Sequence, residues 1–271
     1  MAGRVAAAAL VVFLAAGVSA AGVREQAGMA RALLGAGPEA LDLLGREPAA
    51  GSRADRYFRA LALDRAGFRA AALGVWAELA ATGGPFSGPA LEAAVDREFA
   101  RGRYERVAAL AAAANPGRLA DPDALWYRVG QSLRMLGRSP EAAEALGRVS
   151  QGPFLPYALH TLAQIRFEED RHAEALDLLA RAVEAAPEPL ADRIRLTRGR
   201  ILYQVAVGLS GLDPEARERG LQVARDQFGR IQPESPWYAQ ALEGMGWCDL
   251  ELGATAEALA AFTLAAERDP D

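Results

Sequence analysis

Apolar and small residues recur along the chain at intervals of three and four, the spacing that gathers them on one face of an α-helix. Trp126, Val129, Gly130 and Leu133 show it, as do Leu159, Leu162, Ala163 and Phe167, and again Leu242, Met245 and Gly246. Valine and isoleucine are too few, and too rarely alternate with polar residues, to write a sheet. Hydrophobic residues make up 51% of the 271 and aromatics only 7%, because alanine carries much of the apolar fraction. Runs such as Ala111 to Ala114 enter a helix without loss of side-chain entropy. The pattern predicts an all-α chain, long enough to bury a substantial core.

The helices come in repeats. One unit reads Trp126, Val129-Gly130, Leu133, Gly137, Ala142, Leu146, Val149 and Pro153. A second reads Leu159, Leu162-Ala163, Phe167, Asp170, Ala175, Leu179, Ala182 and Pro187. A third reads Leu242, Met245-Gly246, Gly253, Ala258, Phe262, Ala265 and Pro270. The small residue at Gly130, Ala163 and Gly246 lets two helices approach closely. Gly137 and Gly253 suit a left-handed turn that ends the first helix. Ala142, Ala175 and Ala258 leave room for a large residue opposite, and the three prolines are placed to stop the second helix.

With the Ala142-type residue as anchor, weaker copies fall at Ala40, Ala72, Val107 and Ala224. The steps from Ala40 to Ala258 are then 32, 35, 35, 33, 49 and 34 residues. The long step (49 against 34) implies about 15 extra residues. They are expected near 207–217, where Gly208-Leu209-Ser210-Gly211-Leu212-Asp213-Pro214 reads as a loop. Gly45 to Ala54, Ala81 to Pro89 and Asn115 to Pro122 are the expected inter-repeat loops.

The three clear units resemble the tetratricopeptide repeat (TPR), with its large residue, Leu-Gly-like pair, aromatic, turn glycine, small residue, aromatic, then Ala and Pro. The resemblance implies a right-handed superhelical solenoid of about seven TPR-like helical hairpins. It is regular over 119–271 and degenerate over 21–118, where residues around Ala60-Leu61 and Ala94-Val95 replace the Leu-Gly pair. The aromatic after the turn is kept at Phe68 and Tyr104 but becomes Ser139, His172 and Thr255 later.

TPR solenoids bind ligands along the concave surface formed by the first helix of each hairpin. Carried over, those positions are Tyr127, Gln131 and Arg134, then His160, Gln164 and Phe167, then Glu243, Trp247 and Leu250. Such a mixture suits an extended peptide or a helix of another protein; packing between hairpins is the other role open to these residues. The family's carboxylate clamp, built from lysines and arginines in successive first helices, has no assignable counterpart. A last repeat also exposes an apolar face. Ala260, Phe262, Leu264 and Ala265 make that face here, so it either meets water or is covered by a partner or by self-association.

The first 22 residues read differently. Arg4 and the chain amine precede an apolar run from Val5 to Gly17, and Val18-Ser19-Ala20 offers the small residues a signal peptidase needs. A signal peptide over 1–20 is expected, cleaved after Ala20 or after Ala21, which implies a periplasmic or secreted protein. The alternative is a retained membrane anchor, since the uncharged run continues to Val23. No cysteine follows the run, which excludes bacterial lipoprotein attachment. Cys248 is the only cysteine, so neither an intramolecular disulfide nor a Cys-rich zinc site can form, and it reads as a small core residue.

A formal net charge of −5, with all 30 basic residues arginine, argues against general nucleic-acid binding. No nucleotide-binding glycine loop or serine-hydrolase elbow is present. His160 and His172 belong to different helices of one hairpin and lack zinc-ligand spacing. Glu168-Glu169-Asp170 reads as a solvated turn. Arg193, Arg195, Arg198 and Arg200 crowd one helix, as an anion-binding or acidic-peptide contact or as surface partners of nearby acids. The sequence thus predicts no catalytic residue, cofactor or metal. Its leading reading is a non-catalytic protein–protein interaction scaffold in the bacterial cell envelope, in the periplasm or associated with the outer membrane. Two alternatives stay open: a helical accessory subunit of a cell-wall-active enzyme, and a cytoplasmic adaptor if the N-terminal segment is not a signal.

Overall fold

The computed structural model describes residues 23–45, 51–114, 119–209, 211 and 213–268. The expected leader, Pro270, and parts of two expected loops lie outside them. Among the described residues there are fourteen α-helices and no strand, and they pair in chain order into seven hairpins. Two compact units are present, one ending at Arg148 and one beginning at Val149. That division falls one hairpin after residue 118, where the sequence changes from degenerate to regular repeats.

The first unit holds α1 (Val23–Leu33) and α2 (Gly37–Leu44), α3 (Arg53–Arg65) and α4 (Arg69–Thr82), α5 (Ser87–Phe99) and α6 (Tyr104–Ala113), and α7 (Pro122–Met135) and α8 (Ser139–Gly147). The second holds α9 (Leu155–Glu168) and α10 (His172–Ala185), α11 (Leu190–Gly208) and α12 (Pro214–Gly229), and α13 (Tyr238–Glu251) and α14 (Thr255–Arg268).

Most hairpin turns use one device. The first helix ends at a residue with positive φ: Gly35, Gly67, Gly102, Gly137 and Gly253, with Asp170 (φ 59°) in the glycine's place in the α9–α10 turn. The next amide then reaches back five residues, as in Phe68 N to Leu63 O at 2.8 Å, Arg138 N to Leu133 O at 2.9 Å and Ala254 N to Asp249 O at 2.8 Å. These bonds satisfy carbonyls the helix end would leave orphaned. Side-chain caps start several helices. Ser52 Oγ accepts from Asp55 N (3.2 Å) while Asp55 Oδ2 accepts from Ser52 N (2.8 Å), closing a capping box on α3. Asp121 and Asp213 cap α7 and α12, each followed by proline at the first helical position. The loop edges differ from expectation: the Ser52 cap brings Arg53 and Ala54 into α3, while Ala81 joins α4 and Ser87 to Pro89 open α5. Pro153 does not stop α8, which has already ended at Gly147.

Packing follows the repeat. The anchors Ala40, Ala72, Val107, Ala142, Ala175, Ala224 and Ala258 all lie on second helices, 0–2% exposed. A Cβ added at Gly130 would come within 2.5 Å of Leu146, and one at Gly246 within 2.7 Å of Phe262. The small residue of the first helix is therefore the seat of the large residue of the second. In the first unit Tyr57, Phe58 and Phe86 pack with ring centroids 5.4–6.0 Å apart in a core that includes Trp76. In the second, Leu179 and Ile194 belong to one cluster and Phe228 and Cys248 to another. Each fully buried large side chain contributes about 1.5–3 kcal/mol.

The long step between Ala175 and Ala224 is not a loop alone. Helix α11 has 19 residues and α12 has 16, against 14 in each of the other four helices of this unit. The insertion extends both arms of the sixth hairpin.

Candidate functional site

In the second unit the first helices α9, α11 and α13 carry the groove positions. On α9, His160, Gln164 and Phe167 are half-buried. Thr197 of α11 donates its hydroxyl to the Arg193 carbonyl and lies 3.1 Å from His160 Nε2; the imidazole therefore donates from Nε2. Burial, with the Arg193 charge adding to it, pushes the His160 pKa down to about 4, so the ring is neutral at physiological pH. Of the two roles open to this residue, the structure shows the packing one: His160 ties α9 to α11, in successive hairpins. Phe167 packs on His172 with centroids 5.0 Å apart. Both rings belong to the hairpin itself.

The open part of the groove lies between α11 and α13, a cavity of about 300 Å³. Its floor is Phe228, and its walls include Arg200, Tyr203 and Gln204 from α11 and Glu243 and Trp247 from α13. Glycine makes the floor: a Cβ at Gly199 or at Gly244 would come within 2.6 Å of the Phe228 ring, so the ring fits only because both neighbouring helices are bare there. Trp247 is 50% exposed, steadied by an edge contact to Phe262 at 5.3 Å. Burial and the nearby Glu251 carboxylate raise the Tyr203 pKa, leaving it a phenol. The cavity thus offers an indole face, a phenol and charges of both signs over an apolar floor. Leu250 is exposed one turn further along α13.

Of the six expected groove residues of this unit, Glu243 and Trp247 line the cavity, whereas Gln164, Phe167 and Leu250 do not, and His160 is engaged with Thr197. Tyr203 was not anticipated, and Arg200 was singled out only as part of the α11 arginine cluster, not as a groove position. The signal for them was Gly199, the small residue of α11. The groove positions lie one and four residues past Gly130, Ala163 and Gly246, and the same offsets from Gly199 give Arg200 and Tyr203. What hid them is the longer hairpin: Gly199 meets Phe228 twenty-nine residues on, where Gly130 meets Leu146 sixteen residues on.

In the first unit Tyr127, Gln131 and Arg134 share one face of α7 and are half-buried. Arg134 reaches Ser139 Oγ at 3.4 Å across the hairpin turn. Neighbouring side chains have structural duties: Arg128 pairs with Asp96 of α5 at 2.8 Å, and Arg148 lies 4.2 Å over the Trp126 ring.

Cys248 is fully buried as expected, and burial pushes its thiol up to about 12. Glu168, Glu169 and Asp170 are exposed, with Glu169 held by Arg166 at 2.8 Å. Among the described residues no group of three or more His, Cys, Asp or Glu is placed to hold a metal ion, and no helix is long and apolar enough to cross a membrane.

The sequence matches no protein-family model, and no curated protein matches it either. Among solved structures, the C-terminal part of a TPR repeat-containing protein from Cytophaga hutchinsonii is similar over 91% of this chain and 95% of that one, with a TM-score of 0.57 and 12% identity. The TPR-like repeats of a putative kinesin light chain from Podospora anserina cover 67% of this chain and 96% of their own length, with a TM-score of 0.43 and 16% identity. BtubC from P. vanneervenii covers 91% of each chain, with a TM-score of 0.41 and 16% identity. Identities this low speak to the fold alone, and the first likeness carries that conclusion. The chain has the all-α TPR-type repeat fold.

Proposed function

We propose that the protein is a non-catalytic interaction scaffold that works in the bacterial cell envelope, holding a peptide or helix of another protein on the first-helix face of its hairpins. TPR folds generally bind other proteins, and fold alone does not fix function. The observation that carries the reading is the α11–α13 cavity, where the half-exposed Trp247 stands over the Phe228 floor between Arg200 and Glu243. An exposed indole beside a rigid apolar floor, ringed by opposite charges, is the composition of a protein-binding hot spot. The envelope assignment rests on the leader-like segment at residues 1–20. Self-association through the last hairpin, where Leu259 is exposed, is part of the same reading.

The test is an in-cell crosslink and affinity capture of a C-terminally tagged copy, with the N-terminus of the recovered protein sequenced. A start near Ala21 together with a reproducible set of envelope proteins supports the proposal. An intact Met1 with only cytoplasmic proteins overturns the envelope assignment, and peptidoglycan cleavage by the purified protein overturns the non-catalytic one.

A further inference from the structure

A second concavity in the second unit, about 790 Å³, opens between the end of α10, the first half of α11, the end of α12 and the turn that follows it. It lies on a different face of α11 from the groove, using Asp192, Arg195 and Arg198 where the groove uses Arg200, Tyr203 and Gln204. Its charges are unevenly satisfied. Arg195 donates from Nη1 to both Glu188 and Asp192 at 2.7 Å, so that cluster is neutralised from within. Arg198 has no such acid. Its Nη1 donates to the neutral Gln227 amide oxygen at 2.8 Å, and its Nε is buried with no acceptor. Partial burial, with the charge of Arg230 adding to it, draws the Arg198 pKa down, and no carboxylate opposes it. A partly desolvated guanidinium sharing a cavity with a second one is an unfavourable arrangement until an anion bridges them.

We infer that Arg198 and Arg230 form a receptor for one carboxylate, supplied by an acidic side chain of a bound protein segment. Planar guanidinium groups match a carboxylate edge-on, and both arginines line the cleft. The rest of the lining fits a peptide better than a free anion. Val183, Pro189 and Pro236 provide apolar wall for an aliphatic stem, while the exposed Glu184 and Glu234 repel a dianion such as phosphate. Those same two acids favour basic residues flanking the captured carboxylate. The volume suits a side chain with its adjoining backbone. This surface is additional to the groove proposed above, and the two are separable by mutation.

The experiment uses the full chain, immobilised, and two pools of blocked heptapeptides with randomised flanks and a fixed central residue, Glu in one pool and Gln in the other. The Glu pool should be retained at least tenfold more than the Gln pool, with arginine or lysine enriched beside the glutamate. Arg198→Met and Arg230→Met should each reduce Glu retention to the Gln level, whereas Trp247→Ala should leave the ratio intact. Arg230 is exposed, so its variant reports on the site even where Arg198→Met impairs folding. Equal retention of the two pools overturns the proposal, as does a Glu preference that survives both arginine variants. Abolition of Glu retention by millimolar inorganic phosphate identifies a free-anion site instead and equally overturns it. A preference lost only with Trp247→Ala assigns the binding to the groove.

Discussion

Phe228 is gripped by two glycines, and this makes a sharp prediction about a substitution that usually strengthens helices. Replacing a helical glycine with alanine stabilises by about 0.8–1 kcal/mol where the new methyl meets nothing. At Gly199 it would come within 2.6–2.8 Å of three Phe228 ring carbons, and that ring, 1% exposed, also abuts Gly244. Overpacking of this kind costs about 1–3 kcal/mol, and a rigid, fully buried aromatic that abuts two helices belongs at the upper end. Gly199→Ala should therefore lose about 2 kcal/mol net. Gly74→Ala should go the other way, gaining up to about 1 kcal/mol, because nothing lies within 4 Å of a Cβ at Gly74, an exposed position of α4. Urea denaturation followed by helical ellipticity measures both. The diagnostic variant is Phe228→Leu: it destabilises the wild type but should relieve Gly199→Ala, giving a coupling of at least ~1 kcal/mol in the double-mutant cycle. A Gly199→Ala protein as stable as wild type, or a cycle without coupling, would refute the packing argument.

The remaining predictions concern buried polar groups. His160 has a folded pKa of about 4, below the ordinary 6.5, so the unfolded chain binds more protons between those values and stability falls as pH drops through that window. Relative to His160→Gln, the wild type should lose about 2–3 kcal/mol between neutral pH and about pH 4.5, read from urea midpoints; equal losses in the two proteins would count against the buried neutral imidazole. Cys248, buried and with its thiol pushed up to about 12, should resist an aromatic disulfide reagent at pH 8 until the second unit unfolds; rapid labelling of the native protein would contradict its place in the core. Asp64 is buried and bonded by Arg97 Nε at 3.0 and 3.1 Å. Arg97→Ala should cost about 2 kcal/mol by stranding that carboxylate, and Asp64→Ala in the same chain should return at least half of it.

The repeat was legible because its steric requirements are local. One position in each second helix must be small, and Ala40, Ala72, Val107, Ala142, Ala175, Ala224 and Ala258 announce it whatever surrounds them. The glycine turns were equally readable, since only a residue tolerating positive φ closes them; Asp170 shows the one tolerated substitute. Pro153 misled because proline forbids helix only where it stands and says nothing of where the helix already ended. The groove was half legible. Trp247 and Glu243 follow from a regular repeat, but Arg200 and Tyr203 sit in the elongated hairpin, where the helix-to-helix spacing that frames the pattern is lost. The role of His160 was left open because it turns on Thr197, thirty-seven residues away, a contact that no local pattern encodes. The α11 arginines have the same origin: the cluster was visible, but that Arg195 met acids and Arg198 met the Gln227 amide depended on the neighbouring segments.

The most direct test of the scaffold account is site-specific photocrosslinking in living cells. A photoreactive residue at Gln240, in the α11–α13 cavity, is compared with one at exposed Arg181 on α10. The account predicts a discrete protein adduct from position 240 that is absent from position 181 and lost when Trp247→Ala is added. No adduct from position 240, or the same adducts from both positions regardless of Trp247, would contradict it.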